Sequence, residues 1–153
     1  MLINRYRFME IISRIIHALR YKRFRLLGYN NIHRSVILES NLKLDKVYPE
    51  GIYIGEHTLV ASGVTILTHE HIKRDKNDKR NPWVANTCIG KKCFIGVGAV
   101  ILPGVTIGDE VIVGAATVVT KDVPSNSMIV GNPGRIVRNN IRLDEKAILI
   151  DDL

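Results

Sequence analysis

Residues 89 to 124 divide into blocks of six, IGKKCF IGVGAV ILPGVT IGDEVI VGAATV VTKDVP, and every block opens with Ile or Val. An earlier series, Val36, Leu42, Tyr48, Ile54, Val60 and Ile66, keeps the same spacing. A period of six matches neither the period of about 3.6 of a helix nor that of about 2 of a strand. It is commensurate with short strands joined by regular corners. The second position of a block is often small (Gly55, Ala61, Gly90, Gly96, Gly108, Gly114), which lets the backbone turn beside an inward-pointing branched side chain. The expected fold class is an all-β solenoid in which each coil covers the apolar face of the one before it.

The two series are out of phase, because the interval from Ile66 to Ile89 is not a multiple of six. The intervening segment, residues 68–87 (THEHIKRDKNDKRNPWVANT), is polar and charged, lacks the repeat and holds the single tryptophan, Trp83. Such an excursion from a regular coil is expected to be functional. Before the repeat, Phe8, Ile11, Ile12, Ile15, Ile16 and Leu19 recur at helical spacing, which predicts an amphipathic helix from Arg5 to about Leu27, stopped at Gly28. The domain layout read from these patterns is a basic helix over 1–28, a repeat domain over 29–138 with the 68–87 excursion loop, and a tail over 139–153. Residues 143–153 are expected to form a short helix or a tail that caps the solenoid.

Composition narrows the class. Of the 153 residues 46% are apolar but only 6% aromatic, so the core must be narrow and built of branched side chains. Residues 1 to 27 carry Arg5, Arg7, Arg14, Arg20, Lys22, Arg23 and Arg25 against one anion, Glu10, so +6 of the net +7 lies there. Arg14 and Arg20 interrupt the apolar run, which argues against a membrane span or cleaved signal peptide and for the cytoplasm. The cationic helix either lies on the inner membrane surface as a peripheral anchor or packs as a cap on the first coil. Cys88 and Cys93 are too few and too close for a disulfide framework or zinc site and are expected to be reduced core residues. No nucleic-acid-reading motif is present.

The twelve blocks, with TKDVP and then GNPGR in the stretch IGDEVIVGAATVVTKDVP…GNPGRIVR, resemble the hexapeptide-repeat acetyltransferases, closest to the galactoside, maltose and polysaccharide O-acetyltransferase branch. The resemblance covers roughly residues 30–138. It implies a left-handed parallel β-helix, a hand that periodicity alone does not give, since parallel crossovers are otherwise nearly always right-handed. It also implies a homotrimer with acetyl-CoA as co-substrate in the cleft between neighbouring solenoids. Val97, Val100, Val118 and Ile129 are expected to give apolar outer surface at the subunit contact.

Acetyl transfer to a sugar hydroxyl requires a base for the hydroxyl proton, and histidine titrates near neutrality. Of His17, His33, His57, His69 and His71, the resemblance points to the last two, where the first series gives way to the excursion. Counting ten residues from Ala61, as in the galactoside branch, reaches His71, which is therefore the expected base; His69 requires a shorter path, which a loop absorbs, and is the alternative. Glu70, between them, either orients an imidazole or is solvated, and is also a candidate acceptor contact. For the co-substrate, the resemblance by position implies Gly96, Val97, Gly114, Ala115, Thr120 and Lys121. Lys121, Arg135 and Arg138, with Arg142 as a weaker fourth, are candidates for its phosphates. Pro133 is expected to fix the turn that presents Arg135, and Gly134 to make that turn flexible. Phe94 stands where the branch has a tryptophan by the cleft, and Trp83 either stacks on a sugar ring or anchors the loop. No metal is expected, because a zinc site would need a third histidine beyond the HEH pair, with only His57 in view. The alternatives to O-acetylation are N-acetylation of an amino sugar, acetylation of a xenobiotic, a zinc carbonic-anhydrase-like protein and a non-catalytic scaffold.

Overall fold

The structure is a computed structural model that describes residues 2–74 and 79–150. Among the described residues a long helix, α1 (Leu2–Leu26), precedes sixteen strands, most of them two residues long. In order they are β1 (Asn31–Ile32), β2 (Ile37–Leu38), β3 (Lys43–Leu44), β4 (Ile52–Ile54), β5 (Leu59–Val60), β6 (Thr65–Ile66), β7 (His69–Arg74) and β8 (Pro82–Val84). They continue with β9 (Thr87–Ile89), β10 (Phe94–Ile95), β11 (Val100–Ile101), β12 (Thr106–Ile107), β13 (Ile112–Val113), β14 (Val118–Val119), β15 (Ser127–Val130) and β16 (Arg135–Asn139). From β1 to β14, leaving aside β7 and β8, successive strands fall into three parallel sheets in rotation. Sheet A is β1-β4-β9-β12, sheet B is β2-β5-β10-β13-β15 with β16 added antiparallel, and sheet C is β3-β6-β11-β14. The chain therefore winds round a three-faced core and returns to each face one coil higher.

The register explains the period. Cys88 pairs with Thr106, Phe94 with Ile112 and Val100 with Val118, so each strand meets its partner three blocks of six later, and three blocks make one coil. Ile95, Ile101, Val113 and Val119 point inward with no exposed surface, and each rests on its counterpart in the next coil. The corners are as tight as the faces: a Cβ on Gly90 would stand 2.6 Å from the carbonyl carbon of Gly108 in the coil above.

Two insertions shift the phase. The first and second coils pair Ile32 with Ile54, Leu38 with Val60 and Leu44 with Ile66. This interval exceeds three blocks by four positions, because a short helical turn at Pro49–Gly51 lengthens the coil. The inward strand residues of the first coil are thus Ile32, Leu38 and Leu44. Val36, Leu42 and Tyr48 occupy the corner position four places further on, so the earlier six-residue series joins two different structural positions. Both positions are apolar and six apart, which is why spacing did not separate them. The second insertion is the 68–87 segment, which is an antiparallel ribbon of β7 and β8 rather than an irregular loop; its positions 75–78 lie outside the described residues. Ala85 N–H bonds to Thr68 O (2.9 Å) and Thr87 Oγ1 to Leu67 O (2.6 Å), closing its base.

The lowest coil leaves a row of unpaired carbonyls on each sheet, and side chains from the helix and its exit cover one row apiece. Arg20 donates to Leu38 O in sheet B (3.1 Å) and Tyr21 to Ile32 O in sheet A (3.4 Å). Tyr29 bonds Leu44 O and Asp45 O in sheet C (3.3 and 3.1 Å). At the other end, residues 141–150 contain no helix, contrary to one expectation. Ile141 and Leu143 are buried there, Ile141 N–H bonds to Asn126 O, and the Leu143 N–H is held by Glu110. Residues 151–153 of the expected tail lie outside the described residues. Ile129, expected on the outer surface, is 5% exposed and belongs to the core, since its strand faces inward there.

Trp83 lies over the coil corner at Gly104, which has φ +81°, and a Cβ there would stand 3.2 Å from the indole. Gly104→Ala is expected to cost about 1–2 kcal/mol from the left-handed backbone and the contact together. Urea unfolding and the emission of the single tryptophan measure it; an unchanged midpoint and spectrum would contradict this packing.

Candidate active site

The corner between sheets C and A is where the regular winding is broken. Asp45 follows β3 and His69 follows β6 one coil above it. The Asp45 side chain has no exposed surface. Its Oδ1 accepts from Val47 N–H (2.8 Å), and its Oδ2 accepts from Thr68 N–H (2.8 Å), His69 N–H (3.1 Å) and His69 Nδ1 (2.5 Å). Burial pushes this carboxyl up, but the hydrogen bonds from Thr68, Val47 and His69 together hold it below the ordinary carboxylate range. A carboxylate only accepts, so Nδ1 of His69 is the donor, and in the neutral ring the lone pair is then on Nε2.

Tyr29 supports the pair from below. It is buried, packs edge-on against Phe24 (5.5 Å between centroids) and holds the backbone carbonyl of Asp45. Burial and then the Asp45 charge push its phenol up, so it remains a donor. On the other side, the His71 ring meets His69 edge to face at 5.1 Å. The His69 side chain is 20% exposed, whereas His71 stands in solvent. Glu70 lies 3.4 Å from Lys73 Nζ, which sits 4.5 Å over the Trp83 ring. The carboxylate that orients an imidazole is therefore Asp45 and not Glu70. Trp83 spends one face on Lys73 and an edge on Gly104, which anchors the ribbon to the next coil of the same chain.

The residues expected to meet the co-substrate separate into groups. Thr120 and Lys121 are exposed on the same C–A corner as His69, two coils higher, in the column running from Leu67 through Leu102. Gly96, Val97, Gly114 and Ala115 lie on the B–C corner instead. Val97 is 56% exposed there and accepts from Ala116 N–H (2.8 Å). A Cβ on Gly96 would stand 2.7 Å from Ala115 N and one on Gly114 2.8 Å from Val130, so stacking alone already requires glycine at both. Phe94 is on the outer side of sheet B between Leu59 and Ile112, the face opposite the C–A corner. One copy of the chain does not bring Phe94 or the B–C corner to His69.

Pro133 and Gly134 form the turn between β15 and β16, and Arg135 and Arg138 follow on β16, paired with Val130 and Met128. Gly134 is packed rather than loose. Its N–H bonds to Val118 O (2.8 Å), and a Cβ would stand 2.9 Å from Ile129 and 3.1 Å from Thr117. Burial pushes the Cys93 thiol up to about 12, in keeping with a core residue, and both cysteines are free.

A family model described as the hexapeptide repeat of succinyl-transferase matches residues 87–121. The chain is 34% identical over 110 residues to the galactoside O-acetyltransferase of Escherichia coli, covering 71% of this chain and 54% of that protein. Among solved structures, a maltose O-acetyltransferase from Clostridium difficile superposes with a TM-score of 0.62 at 27% identity, covering 90% of this chain and 87% of that one. The chain belongs to the hexapeptide-repeat acetyltransferase family. Another member, the Vibrio cholerae acetyltransferase VCA0836 complexed with acetyl coenzyme A, superposes at 0.58 with 27% identity over 80% of this chain and 76% of that one. The chain spans about half the length of the curated relatives it matches.

Asp45 and Tyr29 are the site residues that the sequence pattern missed. The signal for Asp45 is its place directly after the third strand of a coil, in register with Leu67 of the next, and it becomes visible only once that register is known. Asp45→Asn is expected to lower stability by about 1–3 kcal/mol at neutral pH, by weakening a buried charged acceptor. Because the folded carboxyl sits below its free value of 3.8, its contribution is complete above that value and is lost as pH falls through the lower, folded one. The gap in melting temperature between wild type and variant therefore narrows in acid; a gap independent of pH would contradict the assignment.

Proposed function

We propose that the protein is an acetyl-CoA-dependent O-acetyltransferase that acts on a sugar or polysaccharide-precursor hydroxyl by direct transfer, with His69 as base in place of the His71 expected from spacing. The observation that carries this reading is the Asp45–His69 pair at the foot of the ribbon. Asp45 holds Nδ1, leaving Nε2 to take the acceptor's proton as its oxygen attacks the thioester carbonyl. The tetrahedral intermediate then collapses to the acetyl ester, and the departing thiolate recovers the proton from Nε2. Relatives named for galactosides and maltose support a sugar acceptor, and the acetyl coenzyme A complex of VCA0836 supports the donor. His71 lines the acceptor side, with Glu70 and Trp83 holding the ribbon.

The assembly we favour is a homotrimer of left-handed β-helices with each active site between two subunits. Two observations support it. Ile37, Leu59, Phe94, Ile112 and Met128 form a column of outward-facing apolar residues up sheet B, a surface suited to a second copy. The candidate site residues also lie on two corners and a face that one chain does not bring together. Gly96, Val97, Gly114, Ala115, Phe94 and the phosphate-binding set Lys121, Arg135 and Arg138 then complete the site across a subunit boundary, with Thr120 and Pro133 shaping its edges. The cytoplasm, where acetyl-CoA is made available, is the compartment this activity requires.

His69→Ala is expected to lower kcat by at least about 10²-fold while leaving acetyl-CoA binding intact; His71→Ala is expected to lose less than about tenfold. Thiol release from acetyl-CoA across a panel of sugars, nucleotide sugars and lipid-linked glycans measures both. The reverse order would assign the base to His71, and full activity in both variants would sink histidine base catalysis.

A further inference from the structure

The helix α1 is built the wrong way round for a simple cap. Among the described side chains, its contacts with the solenoid come from Arg20, Tyr21 and Phe24, which at about 100° per residue share one sector of the helix. On the opposite side lie Phe8, Ile15, Leu19 and Leu26, within about 40° of one another. They are 63%, 54%, 64% and 80% exposed. An amphipathic helix on a globular surface ordinarily turns its apolar stripe to the core. Here the core side is satisfied by polar-tipped side chains that cap carbonyls, and the apolar stripe faces away from the protein.

Charge identifies what covers that stripe. Residues 1 to 27 hold +6, against +1 for everything else in the chain. Lys22 and Arg23 are both exposed and lie on either side of the stripe, where their alkyl stems can follow the apolar surface while the charges reach past it. A second copy of the helix would bring another +6 against the first, and no other part of the chain holds a compensating excess of anions. An anionic phospholipid surface supplies both requirements: phosphates for Lys22 and Arg23, and the edge of the acyl layer for Phe8, Ile15, Leu19 and Leu26. Among the described residues no helix is long and apolar enough to cross a membrane, so the helix lies in the interface and does not span it.

We infer that α1 docks the protein on an anionic phospholipid surface through the Phe8, Ile15, Leu19 and Leu26 stripe, with the solenoid held on the far side of the helix. The stripe and the cap use opposite faces of one helix, so docking leaves the lower end of the solenoid covered.

The full chain is incubated with vesicles of phosphatidylcholine alone and of phosphatidylcholine mixed with phosphatidylglycerol, and sedimented. Binding is expected to be at least about tenfold greater on the anionic vesicles and to fall as salt is raised. The Ile15→Glu/Leu19→Glu pair and the separate Lys22→Glu/Arg23→Glu pair are each expected to lose about tenfold or more. The two pairs alter different surface residues, so a folding defect in one leaves the other decisive, and circular dichroism identifies it. Equal binding to neutral vesicles, no binding, or undiminished binding by both folded variants would overturn the proposal. So would a smaller sedimenting species in the Ile15→Glu/Leu19→Glu variant, which would assign the stripe to a second copy. The readout is binding, so it stands apart from the assignment of acetyl transfer.

Discussion

Everything in this molecule depends on the hydrogen-bonded register between coils. Once strands pair from coil to coil, branched side chains stack in columns, corners close on one another and backbone groups of each coil bond to those of its neighbour. The cost of that regularity appears at the ends, where a coil has no neighbour. At the lower end Arg20, Tyr21 and Tyr29 each cover the carbonyl row of a different sheet, so the helix that precedes the solenoid also terminates it.

The same end holds the proposed base in place. Tyr29 holds the main chain of Asp45 in the first coil, and Asp45 reaches one coil up to the ring of His69. The His69 ring is thus oriented by two residues that lie far before it in the chain. Regular stacking sets the distance between coils, and the departures from regularity, the short helical turn at Pro49–Gly51 and the ribbon at His69–Val84, decide which side chains meet. A carboxylate with no exposed surface is tolerable there because all its partners donate to it.

Particular residues show where the pattern was readable and where it was not. The blocks from Ile89 to Pro124 announced their own inward positions, because Ile or Val recurs without interruption and each coil needs that column filled. The earlier series misled, since Val36, Leu42 and Tyr48 keep the period while standing at corners, and the insertion at Pro49–Gly51 restored the count by accident. Ile129 looked like outer surface until the hairpin of β15 and β16 placed it inside. Gly134 looked like a point of flexibility, and Ile129 and Thr117 make it a point of close packing. The THEH stretch was visible as a place for chemistry, but Glu70 beside the imidazoles was the nearer carboxylate only in sequence.

By itself the sequence determined that the chain must stack, because a six-residue apolar period has no other compact solution, and it marked the places where that period fails. It also determined that the charge would gather on the leading helix. The tertiary structure alone decided that Asp45 and not Glu70 faces a histidine, that His69 is the ring so held, and that the apolar stripe of α1 looks outward. Those outcomes turn on how much chain each insertion adds before the next strand finds its partner, and that length becomes contact only when hydrogen bonds between coils lock the register.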